Sequence, residues 1–321
     1  MATILLTDAS LFTPGAGDTY TLASVGTTTI GAADTLIINT GQTLIIKDTK
    51  ILSINGTLNN SGTITVESGG DCYAEGSGVI NNDNTITVQA GGSCYPKDGG
   101  VITNNDKAII NVTGKLYSTG SNSKIENSGT VTVNFGGECY AEDSGVINNK
   151  DNANINVTGK LYSTDSNSKI ENSGIITVNF GGQCYAWEGG VINNKDNANI
   201  NVTGKLYSTG SNSKIENSGT VTVNFGGECY AQVGGVINNN NTITVKCDGK
   251  LSTKTGGVIT NSGTIINEPC QPTPTPIGSA AAKIHRSLFA NNALVFYKKG
   301  TNSSSSGSGG VGNSRIKRRK T

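Results

Sequence analysis

The sequence predicts an all-β chain wound as a parallel β-helix, or β-solenoid, with about 22–23 residues per coil and a short helix-strand C-terminal tail. One observation is a phrase that returns between Asp71 and about Leu251, in forms such as "DCYAEGSGVINN", "KLYSTGSNSKIEN" and "ECYAEDSGVINN". Its anchor residue is Cys72, Cys94, Leu116, Cys139, Leu161, Cys184, Leu206, Cys229 and Leu251, and successive anchors lie 22 or 23 residues apart. A fixed period of that length is the signature of stacked repeats. The other observation is that apolar residues keep fixed places within the period. The 321 residues are rich in Gly, Asn, Thr and Ser and only 15% charged, a composition that would otherwise suggest disorder.

Residues 1–26 are irregular, with "TPGAGD" as a turn signal, and read as an N-terminal cap over the first open edge. The solenoid is expected over 27–267. Its first part, Thr27 to about Gly62, alternates short β-branched runs with Gly, Asn and Asp, which suits two less regular coils. In the regular coils, six residues before each anchor stand Val66, Val88, Ile110, Val133, Ile155, Val178, Ile200, Val223 and Val245. Four before stand Ser68, Ala90, Val112, Phe135, Val157, Phe180, Val202, Phe225 and Cys247. Beyond the anchors come Ile80, Ile102, Ile125, Ile147, Ile170, Ile192, Ile215, Ile237 and Ile259. The two offsets before the anchor differ by two, so they share one side of a strand. The expected interior is therefore a set of ladders of Val/Ile, Phe/Val, Cys/Leu and Ile. A helical reading fails, because no 3.6-residue period survives the frequent Gly and Asn. The coil is expected to be right-handed, the general rule for parallel crossovers.

Two residues after each of those isoleucines is an asparagine: Asn82, Asn104, Asn127, Asn149, Asn172, Asn194, Asn217, Asn239 and Asn261. The column reads as side-chain amides bonded along the stack, the alternative being that Asn tolerates a left-handed corner. Just before the anchors, cations alternate with Glu or Gln along much of an outward column that includes Lys115, Glu138, Lys160, Gln183, Lys205 and Glu228, so like charges are not stacked. The 45-residue pair of coils is nearly verbatim at 116–160, 161–205 and 206–250, which implies duplication without coil-specific chemistry. Differences gather in the turn just after the anchor, where Trp187, the only tryptophan, lies beside Glu188. After Asn267 come a Pro-rich linker (268–278), a short helix and strand docking segment (279–300), and a flexible basic tail (301–321). Ile284, Leu288 and Phe289 mark the docking segment, and Arg315, Lys317, Arg318, Arg319 and Lys320 the basic end. Residues up to Glu268 hold all 23 acidic and 15 of the 24 basic residues, a net of −8, whereas the chain from Ser279 onward holds nine basic residues and no acid. Such segregation marks an interaction tail.

Little in the sequence points to chemistry. Glu138, Glu142 and Asp143 share a coil, but Lys115 and Lys160 occupy the matching outward place on either side, so a solvated surface is expected rather than a catalytic carboxylate pair. His285 is the only histidine and lies in the tail, which removes a multi-histidine metal site or a Ser-His-Asp arrangement from the rod. The ladder cysteines read as buried, inert small hydrophobes, with only Cys72 and Cys94 on adjacent coils and able to pair, and this points to a reducing site of synthesis. No cofactor is expected. Asn111, Asn156 and Asn201 begin outward-facing glycosylation sequons of a kind that arises by chance in such a composition. No basic n-region precedes the short apolar run at the start, so no signal peptide is read, and no stretch is apolar enough for a membrane span. The terminal basic run lacks aromatic interleaving, which argues against nucleic acid and for an acidic protein neighbour.

The rod, with its "NNSGTITV"-type repeats, and above all the tail, with "KIHRSLFANNALVFYKKG", a Ser/Gly spacer and "GVGNSRIKRRKT", resemble β-helical virion proteins of large double-stranded DNA viruses of algae and amoebae. The resemblance implies a non-enzymatic minor capsid, vertex or surface-fibre component made in host cytoplasm. Its partners would be other capsid or virion proteins bound through the C-terminal segment. Alternatives are a carbohydrate-binding or carbohydrate-cleaving β-helix, with Trp187 and Glu188 as a sugar platform, and a secreted β-helical adhesin. The oligomeric state is left open.

Overall fold

The structure is a computed structural model that describes residues 2–270; everything said of fold and contacts concerns those residues. They are all-β. Three parallel sheets of 11, 12 and 13 strands run the length of a solenoid, and each coil contributes one strand to each sheet. Eleven full coils stretch from the strand Thr27–Ile30 to the strand Thr264–Asn267. At about 4.8 Å per coil the stack is on the order of 50 Å long.

The strands are mostly four residues long and built from motifs such as TITV and VINN. β-Branched residues suit a pleated surface, and in most strands burial alternates, with every second residue buried. One coil shows the plan. Glu138–Ala141 lies in the 11-stranded anchor sheet, Val146–Asn149 in the 12-stranded asparagine sheet and Asn154–Val157 in the 13-stranded valine sheet. The next coil repeats these places in register, pairing Cys139 with Leu161, Ile147 with Ile170 and Val157 with Val178. All nine anchors stand in one column, fully buried except for Leu251, which is partly exposed in the last coil. The isoleucine column is likewise buried from Ile80 to Ile237.

At the start of the chain Thr3–Leu5 adds to the asparagine sheet, while Phe12–Pro14 pairs antiparallel with Thr19–Leu22 at the edge of the valine sheet. Leu6, Phe12 and Leu22 are buried there and join the continuous core.

The structure corrects both columns counted back from the anchors: the one six residues back joins two different buried columns, since Ile110 stands in register with Ile86 and Val131 and not with Val88 and Val133. Counting four residues back from the anchors mixes two environments, because the turn leading into the anchor has two lengths. Before Leu116, Leu161 and Leu206 it is a two-residue Thr-Gly turn; before Cys139, Cys184 and Cys229 it is a four-residue Asn-Phe-Gly-Gly turn. Val112, Val157 and Val202 are therefore inside, in register with Val133, Val178 and Val223. Phe135, Phe180 and Phe225 sit in the wider turns and are 87%, 88% and 71% exposed. Ser68 and Ala90 are exposed at the same turn position. The expected Phe/Val ladder does not exist; the inner columns are Ile/Val and Val.

The narrow Thr-Gly turn demands glycine for reasons of space. A Cβ on Gly159 would run into the backbone carbonyls of Asn134 and Gly137 in the preceding coil. Nothing stands near the site of a Cβ on Gly136, whose φ of 84° is instead the left-handed conformation that glycine adopts at little cost.

The corrected register has a measurable consequence. Ile176→Ala opens a cavity in the core and should cost about 2–5 kcal/mol in chemical denaturation, whereas Phe180→Ala, four residues on, leaves the core intact and should change the stability of the isolated rod by no more than about 0.5 kcal/mol.

Candidate functional site

The most ordered polar feature is inside the rod. The amide Nδ2 of Asn60 donates to Oδ1 of Asn82, and the relay continues through Asn104, Asn127, Asn149, Asn172, Asn194, Asn217 and Asn239 to Asn261, at 2.7–2.8 Å throughout. Each amide also donates to a backbone carbonyl in the following coil, for example Asn127 to Asn154 O at 3.1 Å and Asn217 to Thr242 O at 3.1 Å. These side chains are fully buried from Asn60 to Asn239, so the bonds replace water that cannot enter. The relay starts one coil earlier than the sequence pattern suggests, and Oδ1 of Asn60 has no donor because Ile38 stands in register before it.

A second ladder escaped the sequence reading. Tyr73, Tyr95, Tyr117, Tyr140, Tyr162, Tyr185, Tyr207 and Tyr230, each one residue after an anchor, stack along the outer face of the anchor sheet with centroids 4.4–5.2 Å apart. Lys97 lies 4.4 Å over the Tyr73 ring and Lys254 lies 3.4 Å over the Tyr230 ring, a cation at each end of the stack. Burial pushes the phenols from Tyr95 to Tyr230 up, to about 12 at Tyr95 and Tyr185. The signal was an unbroken "CY" or "LY" pair, whose second residue has an in-register counterpart on every coil from Tyr73 to Tyr230.

On the outer face of the asparagine sheet a polar column repeats every two coils. Glu126 accepts from Asn148 at 2.7 Å and pairs with Lys150 at 2.9 Å; Glu171 accepts from Asn193 at 2.8 Å and pairs with Lys195 at 2.6 Å. Burial alone would raise these carboxyls, but the lysine and asparagine bonds outweigh it and hold both below the usual range.

Of the singled-out residues, Trp187 ends the strand Gln183–Trp187 instead of lying in a turn, with Thr164 and Thr209 as its register partners and its side chain 42% exposed. Glu188 follows it at φ 40°, exposed and in the left-handed region. Glu138 and Glu142 stand at one end of the strand Glu138–Ala141 and just past the other, some 13 Å apart along extended backbone, wider than a glycosidase carboxylate pair. Glu138 is moreover engaged by Lys160 at 2.8 Å. Burial and the nearby charges of Asp143 and Asp165 raise Glu142. The sequon residues Asn111, Asn156 and Asn201 lie half-buried within strands of the valine sheet.

The cysteines divide in two. Cys72, Cys94, Cys139, Cys184 and Cys229 are buried free thiols; Cys72 and Cys94 face each other in register without bonding covalently. Burial pushes Cys139 and Cys229 up to about 12, so these sulfurs stay protonated and unreactive. Cys247, expected in the interior, instead sits half-exposed in a wide turn and forms a disulfide with Cys270 from the segment after the last strand. Cys247 is the second residue of the four-residue turn between Val245 and Lys250, the place that Phe225 holds in an earlier coil, so counting back from the anchor put it on the core lattice and hid the pairing. Asp248 Oδ1 lies 3.8 Å from the Cys270 sulfur, and these three residues form a cluster of metal-ligand type, but with both sulfurs in the disulfide they are not free thiolate ligands. Ile284, Leu288, Phe289, Arg315, Lys317, Arg318, Arg319 and Lys320 lie outside the described residues.

The ladders make two predictions. Asn217→Ala would leave the buried Oδ1 of Asn239 without its donor, at a cost of about 1–3 kcal/mol read as a lower denaturation midpoint. Because the folded-state phenol values lie above the unfolded value of about 10, the tyrosine stack stabilises the rod fully below pH 10. That stability is lost as pH rises towards 12 and beyond. Tyrosinate absorbance should then rise together with unfolding, not before it.

No family model and no curated protein matches this chain. Among solved structures it is similar to the TibC-catalysed, hyper-glycosylated TibA55-350 fragment, at 15% identity and a TM-score of 0.32, over 84% of this chain and 100% of that one.

Proposed function

We propose that this protein is a non-enzymatic structural rod, and specifically a minor capsid, vertex or surface-fibre component of a virion, attached through residues 279–321. The observation that carries the reading is the uniformity of the coils. The same buried columns recur in register from one coil to the next, and the duplicated 45-residue unit varies mainly at exposed turns. Duplication of such a unit adds length and repeats a surface; it does not build a unique cleft. The basic tail offers the separate attachment point, with the virion-like motifs quoted above. Deleting residues 279–321 should leave the thermal unfolding of the rod unchanged yet abolish incorporation into particles, as read by mass spectrometry of purified virions. Normal incorporation of the truncated chain would refute the proposal.

One observation favours a second reading, a β-helical adhesin on an extracellular surface. The Cys247–Cys270 disulfide is exposed at Cys270, and such bonds persist in oxidising compartments. Trapping the thiols of the native source with an alkylating agent separates the two readings. A disulfide found oxidised on intact cells, with no particle-associated chain, supports the adhesin.

A further inference from the structure

Three phenylalanines form a row along the corner between the valine and anchor sheets. Phe135, Phe180 and Phe225 recur every second coil, about 9–10 Å apart, and are almost wholly exposed. An aligned row of apolar rings in water marks a contact surface. Between and before them lie the Thr-Gly turns Thr113–Gly114, Thr158–Gly159 and Thr203–Gly204, with half-buried threonine and buried glycine. Their backbones tuck against the wider turn of the preceding coil. The corner thus alternates knob and recess, with one period for both.

Charge follows the same period and phase. Coils with a phenylalanine knob begin their anchor strand with Glu138, Gln183 or Glu228; coils with a recess begin it with Lys115, Lys160 or Lys205. Among the described residues, only Lys160 and Glu138 of this column form an ion pair within the chain. Lys115 and Lys205 are exposed and, like Glu228, have no ion-pair partner among the described residues.

We propose that this corner is the interface with a second copy of the chain, running antiparallel about a two-fold axis perpendicular to the rod. The pattern is self-complementary in that arrangement. In chain order the coils read recess 113, knob 135, recess 158, knob 180, recess 203, knob 225. Reversing a second copy of that order sets Phe135 against Thr203–Gly204, Phe180 against Thr158–Gly159 and Phe225 against Thr113–Gly114. The same superposition puts Lys115 opposite Glu228, Glu138 opposite Lys205 and Lys160 opposite Gln183. A two-fold axis along the rod would instead set phenylalanine on phenylalanine and carry the two charge columns to opposite sides of the seam. The antiparallel pair is closed and isologous, so association stops at the dimer. Three phenylalanines bring about 450–750 Å² per copy, over half of the roughly 800 Å² per partner of a stable interface. The proposal stands whether the rod serves in a virion or on a cell surface.

Sedimentation velocity on the full chain tests it. The wild type should be a dimer at micromolar concentration. The triple variant Phe135→Ser, Phe180→Ser, Phe225→Ser should be monomeric with the β-sheet circular dichroism of the folded rod, its melting temperature lowered only by the concentration-dependent part that the dimer contributes. Lys115→Glu places two acids opposite each other at two symmetric points and should weaken the dimer by about tenfold or more. Adding Glu228→Lys to the same chain should restore it, a rescue specific to the antiparallel register. A monomeric wild type, or a triple variant that dimerises as well as the wild type, overturns the proposal. So does a monomeric wild type that binds a polysaccharide column through these phenylalanines, which would assign the row to glycan.

Discussion

In-register parallel stacking governs this molecule, and its cost is concentrated where polar groups are walled in. Strand residues of a coil meet their counterparts in the coils on either side, so a column of one buried polar residue can be satisfied by copies of itself. Asparagine meets that condition because its amide carries both donor and acceptor, and the coil spacing brings Nδ2 within 2.7–2.8 Å of the next Oδ1. Serine or threonine could not also reach the following turn's carbonyl in the same way. The relay fixes register as well as stability, since a strand shifted by one residue would put its amide on the solvent face and an aliphatic group in the column. At Asn60 the chain ends abruptly against Ile38, and the orphaned Oδ1 shows what each interior member avoids.

Since strands and their buried columns cannot change, variation is pushed to the corners. Turns alternate between long and short forms there, and the surface takes the same two-coil period as the Cys/Leu anchors of the core. The glutamates bonded to Asn148 and Asn193, the Lys/Glu column and the exposed phenylalanines share that period. A rod whose surface repeats every second coil presents the same chemical group at intervals of about 10 Å. That regularity suits partners that are themselves periodic, among them another copy of the chain.

The two ends of the described rod are finished differently. At the N-terminal end, apolar side chains including Leu6 and Phe12 join the core beside an antiparallel strand pair that interrupts parallel stacking. At the other end, the Cys247–Cys270 disulfide and the 2.6 Å Lys246–Glu268 ion pair tie the segment after the last strand to the coil before it. Loss of a terminal coil would expose the next one in turn, so such ties bear on the whole stack.

Most of the fold was legible in the sequence because stacking in register writes the three-dimensional column into the one-dimensional period: the anchors recur every 22 or 23 residues, an Ile follows each by eight or nine, and an Asn stands two beyond every Ile. The solenoid and its coil length follow from that alone. Only the tertiary structure decided which side of the wall the residues near a turn occupy. Phe135 and Val112 stand equally far before their anchors, yet the backbone between strand and anchor is two residues longer in one than in the other, so one ring faces water and one isopropyl group faces the core. Cys247 followed the same misleading offset and turned out to be half of a disulfide. The tyrosine stack was visible as letters but not as an interaction, because only the pleat shows that a residue beside the core column meets its counterparts face to face outside it. Sequence spacing counts residues from a marker, whereas packing counts them from the strand, and the two agree only where turns have equal length.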